Sequence, residues 1–144
     1  MSQEDPIQSA IRTVLQSIGE DLSREGLQET PRRVAEMYRE VFSGLNQDPS
    51  EALTVGFEED LRDMVILRDV PFFSMCEHHM LPFIGKAHIG YLPSGRIVGA
   101  SKLAKAVDIL ARRPQLQERL TTQIADLLMD TLRPEGVSVV LQAE

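Results

Sequence analysis

Apolar residues recur at helical spacing in four stretches of the chain, and short apolar or alternating runs lie between them. Asp5-Pro6 reads as a helix start, with Asp as N-cap and Pro at the first helical position. Ile7, Ile11, Val14, Leu15 and Ile18 line one face of that helix, and Gly19 ends it. Thr30-Pro31 starts a second helix by the same logic, with Val34, Met37, Tyr38, Val41 and Phe42 as its stripe and Gly44 as its expected C-cap. The polar stretch from Glu20 to Glu29 reads as loop or short helix. Residues 45–61 read as irregular, broken by Pro49 and Gly56.

From Met64 the pattern changes. Met64-Val65-Ile66-Leu67 fits a short strand. Phe83 to Leu92 alternates, with Ala87, Ile89 and Tyr91 on one side and Lys86 and His88 on the other. Pro93-Ser94-Gly95 is a turn after which Arg96 to Gly99 is expected to pair back as a hairpin. A third helix is expected from Ser101, with Leu103, Val107, Leu110 and Ala111 inward. After Pro114 comes a fourth, striped by Leu116, Leu120, Ile124, Leu127 and Leu128 and stopped by Pro134 and Gly136. Val137 to Leu141 is a last strand. Helices and strands in this order predict an α+β fold with an antiparallel sheet. An apolar strand left at a sheet edge invites pairing with another chain, which points to an oligomer or to a missing strand.

Composition narrows the class. The 144 residues are 42% hydrophobic and 26% charged, as in an ordinary soluble domain. A net charge of -7 disfavours nucleic acid, whose binding needs a basic surface. The N-terminus has no signal-peptide pattern and no apolar run spans a bilayer, so no membrane association is expected. One cysteine allows no intrachain disulfide, which fits a reducing, cytoplasmic compartment.

That cysteine and two of the three histidines fall within four residues, Cys76-Glu77-His78-His79. A thiol and an imidazole three apart in a tight turn have the spacing of half a zinc site, and zinc favours both ligands. A buried cysteine beside loop histidines is the bland alternative; the clustering of rare residues favours metal. His78 lies where a proton shuttle is useful. A catalytic zinc takes three protein ligands, and beyond this loop only His88 is left, on a strand where it reads as structural. Ser101, expected at the third helix N-cap, stands with Lys102 and Lys105 in the first turns. They are either solvated cations or, with the backbone N–H groups, an anion site for phosphate. Gln117 and Glu118 open the fourth helix. Glu118 either complements the helix dipole or accepts paired N–H donors such as those of guanine, with a neighbouring amide reading the carbonyl edge. Arg112 and Arg113 read as surface or interface residues.

Residues 74–91, SMCEHHMLPFIGKAHIGY, resemble the zinc loop and following strand of the GTP cyclohydrolase I family. The likeness continues through Gly99-Ala100-Ser101-Lys102-Leu103, through Ala111-Arg112-Arg113-Pro114-Gln115-Leu116-Gln117-Glu118-Arg119-Leu120, and earlier through Glu25 to Ala35 and Phe42-Ser43-Gly44. The resemblance implies a tunnelling fold, with residues 1–60 an N-terminal helical region and 61–144 the catalytic domain lacking its last segment. It implies a toroidal homodecamer with active sites at subunit interfaces. The implied activity is zinc-dependent hydrolysis of GTP to 7,8-dihydroneopterin triphosphate and formate, the entry to folate and biopterin synthesis. By position, Cys76 and His79 bind Zn2+, His78 is the general acid/base, Glu118 with Gln117 anchors guanine, and Ser101, Lys102 and Lys105 hold the triphosphate. At 105 the family often has Arg, and Lys lacks its bidentate fork.

The same resemblance implies a departure. In the family, a segment like Val139 to Glu144 leads into His-x-Cys, a second catalytic His and the third zinc ligand. The Glu144 carboxylate falls on the order of 10 Å short of that ligand, at ~3.3 Å per residue. The 144 residues are therefore expected to bind zinc weakly and to be impaired as an enzyme. The alternatives are a non-catalytic oligomeric homologue that binds purine nucleotide or a protein partner, and a tunnelling-fold enzyme using Cys76 as a nucleophile. The His78-His79 pair and the Ser101-Lys102-Leu103 segment argue against the second of these.

Overall fold

The computed structural model describes residues 5–144. The chain divides into two compact units, one reaching to Glu40 and one from Val41 to Glu144. In the first, helix α1 (Pro6–Ser17) is capped as expected: the Asp5 carboxylate accepts the Ile7 N–H at 3.0 Å. A single turn, α2 (Glu25–Gln28), precedes α3 (Thr30–Val41).

The second unit opens with two 3-10 segments, Ser43–Asn46 and Pro49–Leu53, then strand β1 (Gly56–Glu58). Strands β2 (Val65–Cys76), β3 (Pro82–Leu92) and β4 (Arg96–Val98) follow. Helix α4 (Ala100–Ala111), strand β5 (Pro114–Gln115), helix α5 (Gln117–Leu132) and strand β6 (Gly136–Ala143) complete it. The main sheet runs β5-β2-β3-β6; its β2/β3 and β3/β6 pairs are antiparallel, while the two-residue β5 is parallel to β2. The fold is α+β, as expected.

One face of this sheet is buried under α4 and α5. Val70, Phe72, Ala87, Ile89 and Tyr91 of the sheet share a core with Leu103, Val107 and Leu110 of α4 and Leu120, Ile124 and Leu128 of α5. Leu53, from the segment read as irregular, completes that core. The other face leaves Ile66, Ile84 and Val140 at 61%, 57% and 53% exposure. Among the described residues the outer edge of β6 has no partner strand.

Several local expectations are corrected. Strand β2 is three times the predicted length, because a one-residue bulge between Leu67 and Val70 restores inward alternation beyond Arg68 and Asp69. The bulge is held by the Asp69 N–H, which donates to His88 Nδ1 at 3.2 Å, so His88 is structural as read. The segment Arg96–Val98 does not pair back on β3 but on β1. At the end of β3 both edges are taken, since Tyr91 pairs with Val65 and with Val137. Gly44 is no C-cap. It lies within the first 3-10 segment, and a Cβ there would meet the Ile109 carbonyl oxygen at 2.0 Å. Among the described residues no helix is long and apolar enough to cross a membrane.

Candidate functional site

The cysteine–histidine loop connects β2 to β3 and is closed by its own backbone. The Cys76 N–H donates to the Leu81 carbonyl at 2.8 Å, and the Met80 N–H donates to the Cys76 carbonyl at 2.9 Å. Met80 takes a left-handed conformation, φ 58°, to make the return. Cys76 is half-buried, whereas His78 and His79 are exposed on the turn. His79 Nδ1 accepts the Leu81 N–H at 3.3 Å, a long bond that a competing partner can displace.

The loop is fastened to the start of α5 at three levels. Cys76 and Gln115 are strand partners. The Glu77 N–H donates to the Gln115 carbonyl at 3.0 Å. The Glu77 carboxylate receives both arms of the Arg119 guanidinium, Nη2 to Oε1 at 2.9 Å and Nη1 to Oε2. That hydrogen bonding holds the Glu77 carboxyl below its ordinary range and raises Arg119. Gln115 is 1% exposed, and its Nε2 donates to the Leu110 carbonyl at 2.9 Å and to Gln123 Oε1 at 2.8 Å. Its own Oε1 is buried with no hydrogen-bond partner.

Gln117 and Glu118 therefore stand beside the cysteine–histidine loop, as strand pairing carries them there. Gln117 Nε2 donates to the Leu141 carbonyl of β6 at 3.1 Å, and Glu118 is exposed. Ser101, Lys102 and Lys105 lie elsewhere. Gly99, not Ser101, is the α4 N-cap, because the turn from β4 already supplies an extended residue there; Ser101 is exposed within the first turn. Lys105 Nζ sits 3.7 Å from Asp108, loosely paired. The other end of α4 is fixed near the loop, where Ser74 Oγ donates to the Ala111 carbonyl at 2.7 Å. Ten residues of helix, about 15 Å, separate that end from Ser101. One chain thus gathers Cys76, His78, His79, Gln117 and Glu118, and leaves the Ser101-Lys102-Lys105 group at the far end of α4.

Arg112 and Arg113 are less free than expected. Arg112 Nε donates to Asp108 at 2.8 Å, and Arg113 donates to the carbonyls of Gly44 and Gln47 at 3.0 and 2.9 Å. An open groove beside β2, β3 and β6 is lined by Phe73, Ile84, Gln117 and Gln142 among others; of the candidate residues only Gln117 reaches it.

The donors suit zinc in kind, a thiol and an imidazole on one closed loop. They fall short in number: among the described residues no three His, Cys, Asp or Glu side chains group to hold an ion. Sequence reading assigned no role to Glu77, Arg119 or Gln115. The only signal for the first two was an acid set between candidate ligands and an arginine one residue beyond the candidate base reader.

Residues 7–144 match the family model described as GTP cyclohydrolase I. The chain is 60% identical over 146 residues to GTP cyclohydrolase 1 of Dehalococcoides mccartyi, covering all of this chain and 77% of that protein. It is 58% identical to GTP cyclohydrolase 1 of Halalkalibacterium halodurans, covering 97% of this chain and 75% of that protein. GTP cyclohydrolase 1 of Streptococcus agalactiae is 54% identical, again across the full chain and 78% of the relative.

Proposed function

The chain belongs to the GTP cyclohydrolase I family, and we propose that its cysteine–histidine loop and the first turn of α5 form the chemical half of a GTP cyclohydrolase I site. The activity is hydrolysis of GTP to 7,8-dihydroneopterin triphosphate and formate. The carrying observation is the pairing of Cys76 with Gln115, which sets the candidate ligands two residues from the candidate base readers. Glu118 accepts the N1–H and exocyclic amine of guanine, and the Gln117 amide reads the carbonyl edge. His78, exposed on the turn, moves the proton at the purine as the five-membered ring opens.

Cys76 and His79 would hold zinc, together with a donor that is not among the described residues. Zinc, when bound, supplies an activated water at neutral pH. Ser101, Lys102 and Lys105 bind the triphosphate. Their distance from the loop supports a site shared between subunits, and the open β6 edge with exposed Ile66, Ile84 and Val140 supports self-association into the family's decamer. The protein works in the cytoplasm and feeds pterin synthesis.

The test is fluorescence of the dihydroneopterin product and release of formate from GTP by the assembled protein, with Cys76→Ser and His78→Ala as controls. Turnover lost in both variants supports the assignment. GTP binding without turnover in the zinc-loaded protein would favour the non-catalytic, nucleotide-binding homologue.

A further inference from the structure

Glu77 lies between a candidate ligand and the candidate proton carrier, yet its own side chain faces away from both roles. Its carboxylate is saturated by the Arg119 fork, and its N–H is held by Gln115. Arg119 follows Glu118 directly on α5. The two halves of the site are therefore joined side chain to side chain by a bidentate contact between residues 42 apart in sequence. The backbone ties beside it, Cys76 paired with Gln115 and the Glu77 N–H on the Gln115 carbonyl, stop at Glu77, short of His78 and His79. A planar fork on a carboxylate fixes both distance and orientation, which a point charge does not.

We propose that Glu77 and Arg119 are positioning residues that set the cysteine–histidine loop against the guanine held by Gln117 and Glu118. The proposal rests on the reading of those residues given above. Arg119 recognises no part of the substrate: its guanidinium is spent on Glu77, and it orients the reacting groups through that side chain. Loss of the fork lets the loop drift while the base readers, fixed by α5 and by the Gln117–Leu141 contact, stay where they are. Misplacement of reacting groups by about 1 Å costs on the order of 100-fold in rate with binding retained.

The experiment compares the assembled enzyme, at its full natural length and zinc-loaded, with Arg119→Ala, Arg119→Lys, Glu77→Gln and the reversed pair Glu77→Arg/Arg119→Glu. Equilibrium binding of GTP counts competent sites per subunit and gives Kd; turnover is then expressed per occupied site. Arg119→Ala and Glu77→Gln are expected to keep site number and to hold Kd within about threefold, while turnover per occupied site falls on the order of 100-fold. Arg119→Lys, the mildest change, is expected to fall between, and the reversed pair to recover about tenfold or more over either single variant. If Arg119→Ala does not assemble, Arg119→Lys decides the question by the same ratio. Turnover per occupied site equal to the parent, with only the number of sites reduced, would overturn the proposal and leave the pair a fold-stabilising contact. Cys76→Ser in the same series separates the two readings: if it turns over like the parent, the assignment of the loop as the chemical centre fails, whatever Arg119 does.

Discussion

The Ser74 hydroxyl donates to the Ala111 carbonyl across 37 positions of sequence, at 2.7 Å and fully buried. It joins the last inward position of β2 before the cysteine to the C-terminal turn of α4. The carbonyl at a helix end has no intrahelical partner; this one accepts the Arg113 N–H at 2.8 Å, and the buried Ser74 hydroxyl is its second donor. Replacing Ser74 by Ala removes one of the two donors and is expected to cost about 0.5–1.5 kcal/mol. Denaturant unfolding should show a lower midpoint at unchanged slope. An unchanged midpoint would mean that the Arg113 N–H alone satisfies the helix end.

A second packing constraint is a glycine whose side chain is excluded by backbone. At Gly44 a Cβ would stand 2.0 Å from the Ile109 carbonyl oxygen and 2.9 Å from that of Arg112, and neither can move without unwinding the end of α4. The Gly44 N–H also donates to the Arg112 carbonyl at 3.0 Å. Gly44→Ala is therefore expected to destabilise the second unit by about 1–3 kcal/mol or to disrupt its folding. A thermal melt indistinguishable from the parent would refute the close approach.

Legibility followed the range of the interactions involved. The helix start at Asp5-Pro6 was readable because a cap acts on its immediate neighbours, and that at Thr30-Pro31 because proline fits a first helical turn, with Thr30 itself inside α3. The inward set Ala87, Ile89 and Tyr91 was readable because alternation is local. Strand β2 was read only to Leu67, since Arg68 and Asp69 break the alternation and the compensating contact comes from His88 on another strand. The partner of β4 was illegible for a related reason: whether Arg96–Val98 can join β3 depends on whether Val65 and Val137 have already taken its edges. The rare Cys and His residues were conspicuous in the chain. The Arg119–Glu77 fork was not, because an arginine on a helix and an acid on a loop are ordinary until the fold sets them face to face.

Acid stability should carry the mark of the α1 cap. The Arg39 guanidinium, and then the Ile7 N–H, hold the Asp5 carboxyl below its ordinary value of 3.8. A carboxyl depressed in the folded state binds fewer protons there than when unfolded, so its contribution is present above 3.8 and is lost as pH falls through the lower folded value. Asp5→Asn keeps a capping side chain but does not titrate. The parent's helical signal should therefore decline more steeply than the variant's below that pH, when both are followed by circular dichroism. Parallel declines would remove Asp5 from the acid transition.

Zinc retention separates a complete donor set from a partial one. The proposed donors Cys76 and His79 number two, and no third joins them among the described residues. A polypeptide of these 144 residues should leave gel filtration with well under one zinc per subunit, and Cys76→Ser should remove what remains. Stoichiometric zinc that survives a chelator would show that two donors suffice or that another chain supplies the third.

The triphosphate assignment can be tested apart from the chemistry. Lys102 stands in the first turn of α4, where the helix dipole disfavours a cation unless an anion is present. Lys105 has Asp108 at 3.7 Å, whereas no carboxylate pairs with Lys102 among the described residues. A charge-assisted contact to phosphate is worth about 1.5–3 kcal/mol, so Lys102→Ala should weaken GTP binding roughly 10- to 150-fold. Guanosine, which has no phosphate, should bind the parent and the variant equally, since Gln117 and Glu118 lie at the other end of α4. Lys105→Ala should cost less, because its ammonium is already shared. Equal losses for GTP and guanosine in Lys102→Ala would mean that the lysine supports the helix rather than the phosphates.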